Sequence, residues 1–407
     1  MQIFYFVTDT FPAWRVDLIE LFGRQLQRLG ISTTWQMRRR DRGWCDQATQ
    51  EQQKVYLPPA WPGHGALSAV VRRLGEWFCE AGIFLRLVFG RRYDIIQVRD
   101  DRYTAALLAW LAARLRGAKF TYWVSFPFPE NDLEMAERTH GIRRLFLKFR
   151  GRISFWWLYL VMLPKADHVF VQSEQMKADM AAYGLAPEKM TPVPMGVADT
   201  LLQFNQWRAT ESIPGKIVYL GTLTETRRLD TIIRAFAQIT DTFAHAQLVM
   251  VGEGVHPHER LTLESLCAQL GIRDKVRFTG FIPMEQAWHE AANAEICLSP
   301  FYPTKILNST SPTKISEYLA LGRAVIANNH PEQNSIISES GAGLCVAWGE
   351  EYFAQAMSTL LQQPELTQQL GSRGPDWVAG NRTYTKIASG VYTVYERLLK
   401  QMPEQAS

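Results

Sequence analysis

Short apolar, β-branched runs recur along the second half of the chain at Ile217–Leu220, Gln247–Val251, Val276–Phe278, Ile296–Leu298, Ala324–Ala327 and Leu344–Val346. Helical patterns lie between most of them. Leu229, Ile232, Ile233, Phe236 and Ile239 fall on one face of an amphipathic helix. Strands alternating with such helices build βαβ units around a parallel sheet. Gly221, Gly252 and Gly280 stand at strand ends, where the chain must turn tightly into a loop. An α/β fold is expected, with ligands at the carboxyl ends of the strands.

The first half repeats the theme, with strand candidates at Ile3–Val7, Ile31–Met37, Ile95–Val98, Phe120–Val124, His168–Val171 and Thr191–Val193. Residues 16–29, 65–90, 103–116 and 174–183 read as helices, and the polar, Pro-rich segment 38–64 reads as a long loop. At 407 residues the chain exceeds one ordinary core. We expect an N-terminal Rossmann-like domain over 1–198 and a C-terminal one over 199–384, joined near 198–212. A last helix, about 385–407, would pack back on the first domain. Two such sheets facing across a cleft suit an enzyme that joins two substrates. No GxGxxG follows the first strand of either half, which argues against a dehydrogenase.

Five scattered cysteines without a CxxC argue against a disulfide framework or a zinc site, and a reducing, cytoplasmic setting is expected. The eight histidines form no ligand spacing, so no metal site is expected. No apolar run reaches the length of about 18 residues that a spanning helix needs, and Met1–Val7 reads as a first strand rather than a signal peptide. Residues 1–195 hold 27 Lys and Arg against 19 Asp and Glu, a balance of +8, while the remainder carries 17 against 21, or −4. A basic half attracts phosphates, whether of nucleic acid, anionic lipid or a diphosphate-linked substrate.

Several stretches resemble glycosyltransferase family 4, the retaining group 1 enzymes of GT-B fold. They are YLGTLTETRRLDTIIRAF (Tyr219–Phe236), LVMVGEG (Leu248–Gly254), LGIRDKVRFTGFIP (Leu270–Pro283), AEICLSP (Ala294–Pro300), SPTKISEYLALGRAVIA (Ser311–Ala327) and the closing helix with VYTVYERLL. In the first half the likeness rests on DHVFVQSEQMKADMAAYGL (Asp167–Leu185) and on Met195–Val197. The resemblance implies a nucleotide-sugar donor on the C-terminal domain, UDP- or GDP-linked, an acceptor on the N-terminal domain, retention of anomeric configuration and no metal or other cofactor.

On that resemblance Arg227, six residues past Gly221, takes the place of a phosphate-binding lysine, and an arginine can clamp phosphate bidentately. Gly221 and Thr222, just before it in the chain, are expected to contact the donor as well, as are Pro312 and Thr313 further on. Arg228 stands where relatives carry glycine, leaving open which arginine points inward. Ser311-Pro312-Thr313-Lys314 has the pattern of a helix start, with Ser311 as N-cap and Pro312 in the first turn. Lys314 is then a cation at the positive helix end, unfavourable unless an anion sits there. A diphosphate would supply it; a lysine extending into water is the alternative. Glu317 matches the second glutamate of the family's Glu-x7-Glu motif, which in relatives holds the ribose hydroxyls. The first would fall at Ser309, so Asn308, Ser309 and Ser311 become the candidates for the donor's sugar hydroxyls. Phe281 and Ile282 match positions flanking the nucleobase, or they simply pack in the core. Arg227, Lys314 and Glu317 are the expected catalytic set.

On the acceptor side Arg99, Asp100 and Ser125 lie at strand ends, and Arg15 stands in a first loop without the glycine pair of many relatives. A local ion-pair cluster is the alternative for Arg99 and Asp100. Residues 142–163 join five basic residues to a dense aromatic run. Interfacial membrane contact is expected for 142–152 and core packing for 155–163. No nucleic-acid motif accompanies the patch, so no nucleic-acid partner is expected. The function expected is sugar transfer to a lipid-linked or cell-surface polysaccharide acceptor at the inner face of a membrane. The alternatives are another GT-B enzyme (a soluble sugar-phosphate transferase or a nucleotide-sugar epimerase) or a non-catalytic nucleotide-sugar binder.

Overall fold

A computed structural model describes residues 1–40, 43, 46–59, 66–207 and 212–400. The chain divides into two compact units, one of Met1–Pro194 with Tyr384–Ser407, the other of Met195–Thr383.

The first unit carries strands β1 (Gln2–Phe11), β2 (Ser32–Arg39), β3 (Asp46–Gln50), β4 (Gln53–Leu57), β5 (Ile95–Arg99), β6 (Lys119–Val124), β7 (His168–Val171) and β8 (Met190–Pro192), in the order β3-β4-β2-β1-β5-β6-β7-β8. All pairs are parallel except β3 with β4. That hairpin corrects the expected loop over 38–64. Its turn, Glu51-Gln52, takes positive φ at both residues, 48° and 64°, the geometry that matches the twist of a two-residue hairpin. The strands were hidden because β3 is polar and sits at the edge, where no core demands an apolar side. The rest of that segment, 41, 42, 44, 45 and 60–64, lies outside the described residues.

The closing helix Tyr384–Lys400 covers one side of this sheet, burying Tyr384, Ile387, Val391, Val394, Tyr395 and Leu398. The spacing of three or four between them aims one stripe at Trp35, Phe170 and Ile3. Tyr395 donates to Gln97 Oε1 at 2.6 Å, so the buried hydroxyl is satisfied.

The second unit carries β9 (Lys216–Leu220), β10 (Gln247–Val251), β11 (Val276–Gly280), β12 (Ile296–Ser299), β13 (Ala324–Asn328) and β14 (Gly343–Val346). They form one parallel sheet in the order β11-β10-β9-β12-β13-β14. Counted from β9, this is the doubly wound order 3-2-1-4-5-6, whose switch point falls between β9 and β12. The segment expected as linker, 198–212, opens with a helix at Asp199–Trp207, and its residues 208–211 lie outside the described ones.

Candidate donor site

The loops leaving β9 and β12 diverge at the switch point, and the side chain between them is Lys314. It lies in the first turn of helix Thr313–Ala320, buried, with Nζ 3.2 Å from the Tyr219 hydroxyl. The ammonium stands 4.3 Å from the Tyr219 ring centroid and 5.2 Å from that of Phe301. Two aromatic faces and one hydroxyl are a thin coat for a cation that water no longer reaches. Burial drives the Lys314 amine well below its ordinary range, the nearby Arg227 guanidinium adds to this, and Glu317 opposes it.

Arg227 ends the single 3₁₀ turn Glu225–Arg227 and lays its guanidinium 4.9 Å from the same Phe301 ring. Its Nη1 is buried with no hydrogen-bond partner among the described residues. Arg228 goes the other way. It takes the left-handed conformation, binds Asp230 at 3.1 and 3.2 Å, and is exposed beside Tyr302. The pair is thereby sorted: Arg227 faces Lys314, and Arg228 faces solvent.

Glycine makes this approach possible. Gly221 has φ of 149°, and a β-carbon there would lie 3.0 Å from Lys314 Nζ and 3.1 Å from the Tyr219 hydroxyl. Tyr219 in turn donates to the Thr222 carbonyl at 3.0 Å, fixing the loop over the end of β9.

Glu317 follows one turn along the helix, half-buried. Burial raises its carboxyl, and Lys314 and the Trp288 indole, which closes no hydrogen bond among the described residues, offset this only in part. Ser311 does not cap the helix as expected. Pro312 occupies the flanking position without a side-chain cap. The Ser311 hydroxyl instead donates to Glu332 Oε1 at 2.8 Å and accepts from the Met195 amide at 2.8 Å. The hydroxyl has been drawn away by a buried carboxylate, a stronger acceptor partner than a helix amide is a donor. The Ser309 hydroxyl bonds back to the Lys305 carbonyl, whereas Asn308 Oδ1 is buried with no partner among the described residues. Thr313 is half-buried at the helix start. Phe281 is 89% exposed, so core packing does not account for it, whereas Ile282 packs partly on the core.

In the first unit Arg99 is fully buried. It binds Asp17 at 2.7 Å and Asp100 at 3.2 Å. Asp100, at φ 54°, also accepts from the Ser125 amide and hydroxyl, each at 2.7 Å. Arg15 binds Asp17 at 3.1 Å. Burial alone would raise the Asp17 carboxyl, but Arg99 and Arg15 outweigh it and hold it well below its usual range. The structure thus gathers Arg99, Asp100, Ser125 and, through Asp17, Arg15 into one internal ion-pair network. Asp17 escaped the sequence reading, as did Tyr219, Phe301 and Trp288. Each looks like ordinary strand or helix filling, and only the fold shows what it touches.

Two doubly wound units, the second with a buried cationic pocket at its switch point, define the GT-B class. A family model described as glycosyl transferases group 1 matches residues 204–377, and one described as a glycosyl transferase 4-like domain matches residues 19–196. The chain belongs to the group 1, family 4 glycosyltransferases. It is similar to the alpha-monoglucosyldiacylglycerol synthase of Streptococcus pneumoniae, 25% identical over 308 residues, which is 72% of this chain and 65% of that one. It is also similar to the lipopolysaccharide core biosynthesis glycosyltransferase LpsD of Rhizobium meliloti, 24% identical over 44% of this chain and 49% of the relative. The matches thus span two thirds or less of these curated relatives. Among solved structures, Anabaena HepE in complex with UDP superposes with a TM-score of 0.70 at 14% identity, covering 98% of this chain and 100% of that one. The sucrose-phosphate synthase of Thermosynechococcus elongatus superposes with a TM-score of 0.72 at 18% identity, over 98% and 99% of the two chains. These likenesses show the fold.

Proposed function

We propose that the protein transfers a sugar, with retention, from a nucleoside diphosphate sugar held by Arg227, Lys314 and Glu317. One observation carries this reading: two cations, one of them buried, meet at the switch point and neither forms an ion pair among the described residues. A diphosphate is the anion that fits between them. It would neutralise both, and the charge that develops on its oxygens as the C1–O bond breaks would fall where the cations already wait. The acceptor oxygen then bonds C1 from the same face, and its proton passes to the departing phosphate oxygen. A uridine nucleotide is supported by HepE, solved with UDP and with UDP-glucose. Asn308, whose Oδ1 lacks a partner, is proposed to hold a donor sugar hydroxyl, and Phe281 to face the base.

The acceptor is proposed to be a lipid-linked or cell-surface glycan, which the names of the two curated relatives support. No helix among the described residues is long and apolar enough to cross a membrane, so contact would be peripheral. Helix Gly141–Phe155 and the π-helix Trp156–Met162 after it offer that contact. Ile142, Leu145, Phe146, Phe149, Ile153 and Trp156 are exposed along one side; Arg143, Arg144 and Arg152 of the same helix are exposed too, Arg152 next to that side. Arg150 is committed elsewhere, gripping Asp132.

Nucleotide-sugar binding by calorimetry tests the donor assignment. Arg227→Ala should weaken it about tenfold or more, since a charge-assisted phosphate contact contributes roughly 1.5–3 kcal/mol. Arg228→Ala should change it less than twofold. Equal losses for both arginines would overturn the sorting of the pair. Glu317→Gln should cost affinity for a nucleotide with both ribose hydroxyls and little for its deoxyribose analogue. Equal losses there would make Glu317 a packing residue.

A further inference from the structure

Helix Ala66–Phe89 is built inside out. At 100° per residue, Val70, Leu74, Trp77, Phe78, Leu85 and Phe89 fall within an arc of about 120°, and all six are exposed, Phe78 by 77% and Phe89 by 81%. The opposite arc holds Glu76, Glu80, Ile83 and Leu87, all buried. The two carboxylates are consumed inside the unit. Glu80 binds Arg102 at 2.8 Å and accepts from the Thr104 hydroxyl at 2.6 Å, and Glu76 meets Arg38 at 3.5 Å. They are also the only carboxylates between Ala66 and Arg92, whereas Arg73, Arg86, Arg91 and Arg92 are all exposed.

The one carboxylate beside Phe78 among the described residues, Asp46, is paired with Arg39 at 3.3 Å. An exposed apolar stripe on a helix whose exposed charges are arginines is costly in water and matches one environment well, the boundary between head groups and acyl chains of an anionic bilayer. The inward faces of this helix and of Trp156–Met162 meet in one core cluster, through Ile83, Leu87, Leu158 and Met162. Their outward faces therefore look away from the same side of the sheet.

We infer that the outward face of helix Ala66–Phe89 is a second lipid-contacting surface, which beds into an anionic bilayer together with the exposed side of 142–156. The inference rests on the peripheral contact proposed above and adds a separate anchor to it. Two anchors hold far better than one, because the second engages at high effective concentration once the first is bound.

Co-sedimentation with phosphatidylcholine vesicles, with and without phosphatidylglycerol, tests it on the full chain. Trp77→Ser/Phe78→Ser/Phe89→Ser should lower affinity for the anionic vesicles at least tenfold while leaving nucleotide binding and the melting temperature close to wild type. Arg91→Gln/Arg92→Gln, which leaves the apolar face intact, should lower it severalfold at low salt. If Leu145→Ser/Phe149→Ser releases the protein but both helix 66–89 variants bind like wild type, the second anchor is overturned and the first survives. A wild type that ignores anionic vesicles overturns both. A wild-type dimer that the triple serine variant converts to monomer would assign the face to a second copy instead.

Discussion

Lys314→Ala should abolish measurable donor binding, or weaken it by a factor of a hundred or more, with little loss of stability. The asymmetry follows from what surrounds the amine. Among the described residues Lys314, buried against Tyr219 and Phe301, has a single hydrogen bond and no ion pair, so the free protein gains little from it. Once a diphosphate arrives, the same cation is desolvated and paired, a setting where each charge-assisted contact contributes at the upper end of roughly 1.5–3 kcal/mol. Affinity should also fall with rising pH. Burial first, and Arg227 second, depress the Lys314 amine in the free protein, whereas a bound diphosphate would raise it. Above the free-state value, binding then takes up a proton, and the association constant falls by up to about tenfold per pH unit. Below it, the slope vanishes. Calorimetry in buffers of different ionisation enthalpy reads the proton uptake directly. Lys314→Arg should bind with no such slope, because arginine stays charged. Wild-type affinity that is flat from neutral to alkaline pH, or a Lys314→Ala variant that binds normally, would move the diphosphate elsewhere.

Gly252→Ala should cost about 3 kcal/mol or more of stability and remove donor binding with it. A β-carbon at Gly252 would lie 2.1 Å from the Gly221 carbonyl oxygen, and that neighbour is backbone, not a side chain that can swing aside. The conformation, φ 137°, is one that other residues adopt only with strain. Because the displaced atom belongs to Gly221, relief of the clash must shift the loop beneath Lys314. Gly271→Ala is the matched control. It also has positive φ, but nothing lies within 4 Å of the added carbon, so it should cost only about 1 kcal/mol and leave binding intact. Chemical denaturation beside nucleotide titration separates the two. Parallel losses in both variants would make conformation rather than the contact the cause.

The second unit was legible because its strands are buried on both faces, so Gln247–Val251 and Ala324–Ala327 advertise themselves as continuous apolar runs. The glycines at their ends and the alternating helices then left one architecture. The hairpin of β3 and β4 was not legible, since an edge strand such as DQATQ needs no apolar pattern to form. Within the site, charge was easier to read than shape. Arg227 and Lys314 stood out through the family resemblance as cations expected at a phosphate, but nothing in the order of residues says that Arg228 folds onto Asp230. Nor does it reveal that Ser311 is claimed by Glu332, 21 positions along the chain. Helix 66–89 was legible as a helix, but its orientation was not. Its period is plain, but the period does not say which stripe faces inward, and the buried glutamates are legible only once Arg38 and Arg102 are seen opposite them.

The second unit is continuous in the chain, whereas the first is completed by Tyr384–Lys400. A ribosome therefore delivers every residue of the second unit before it delivers the helix that seals Trp35, Phe170 and Ile3. Until then that apolar flank of the first sheet stays open, although all its strands have been made. The order of assembly is thus inverted relative to the order of synthesis: the later unit can close first, and the earlier one must wait. A chain truncated after residue 383 and released should present a protease-resistant second unit and a first unit that still engages chaperones.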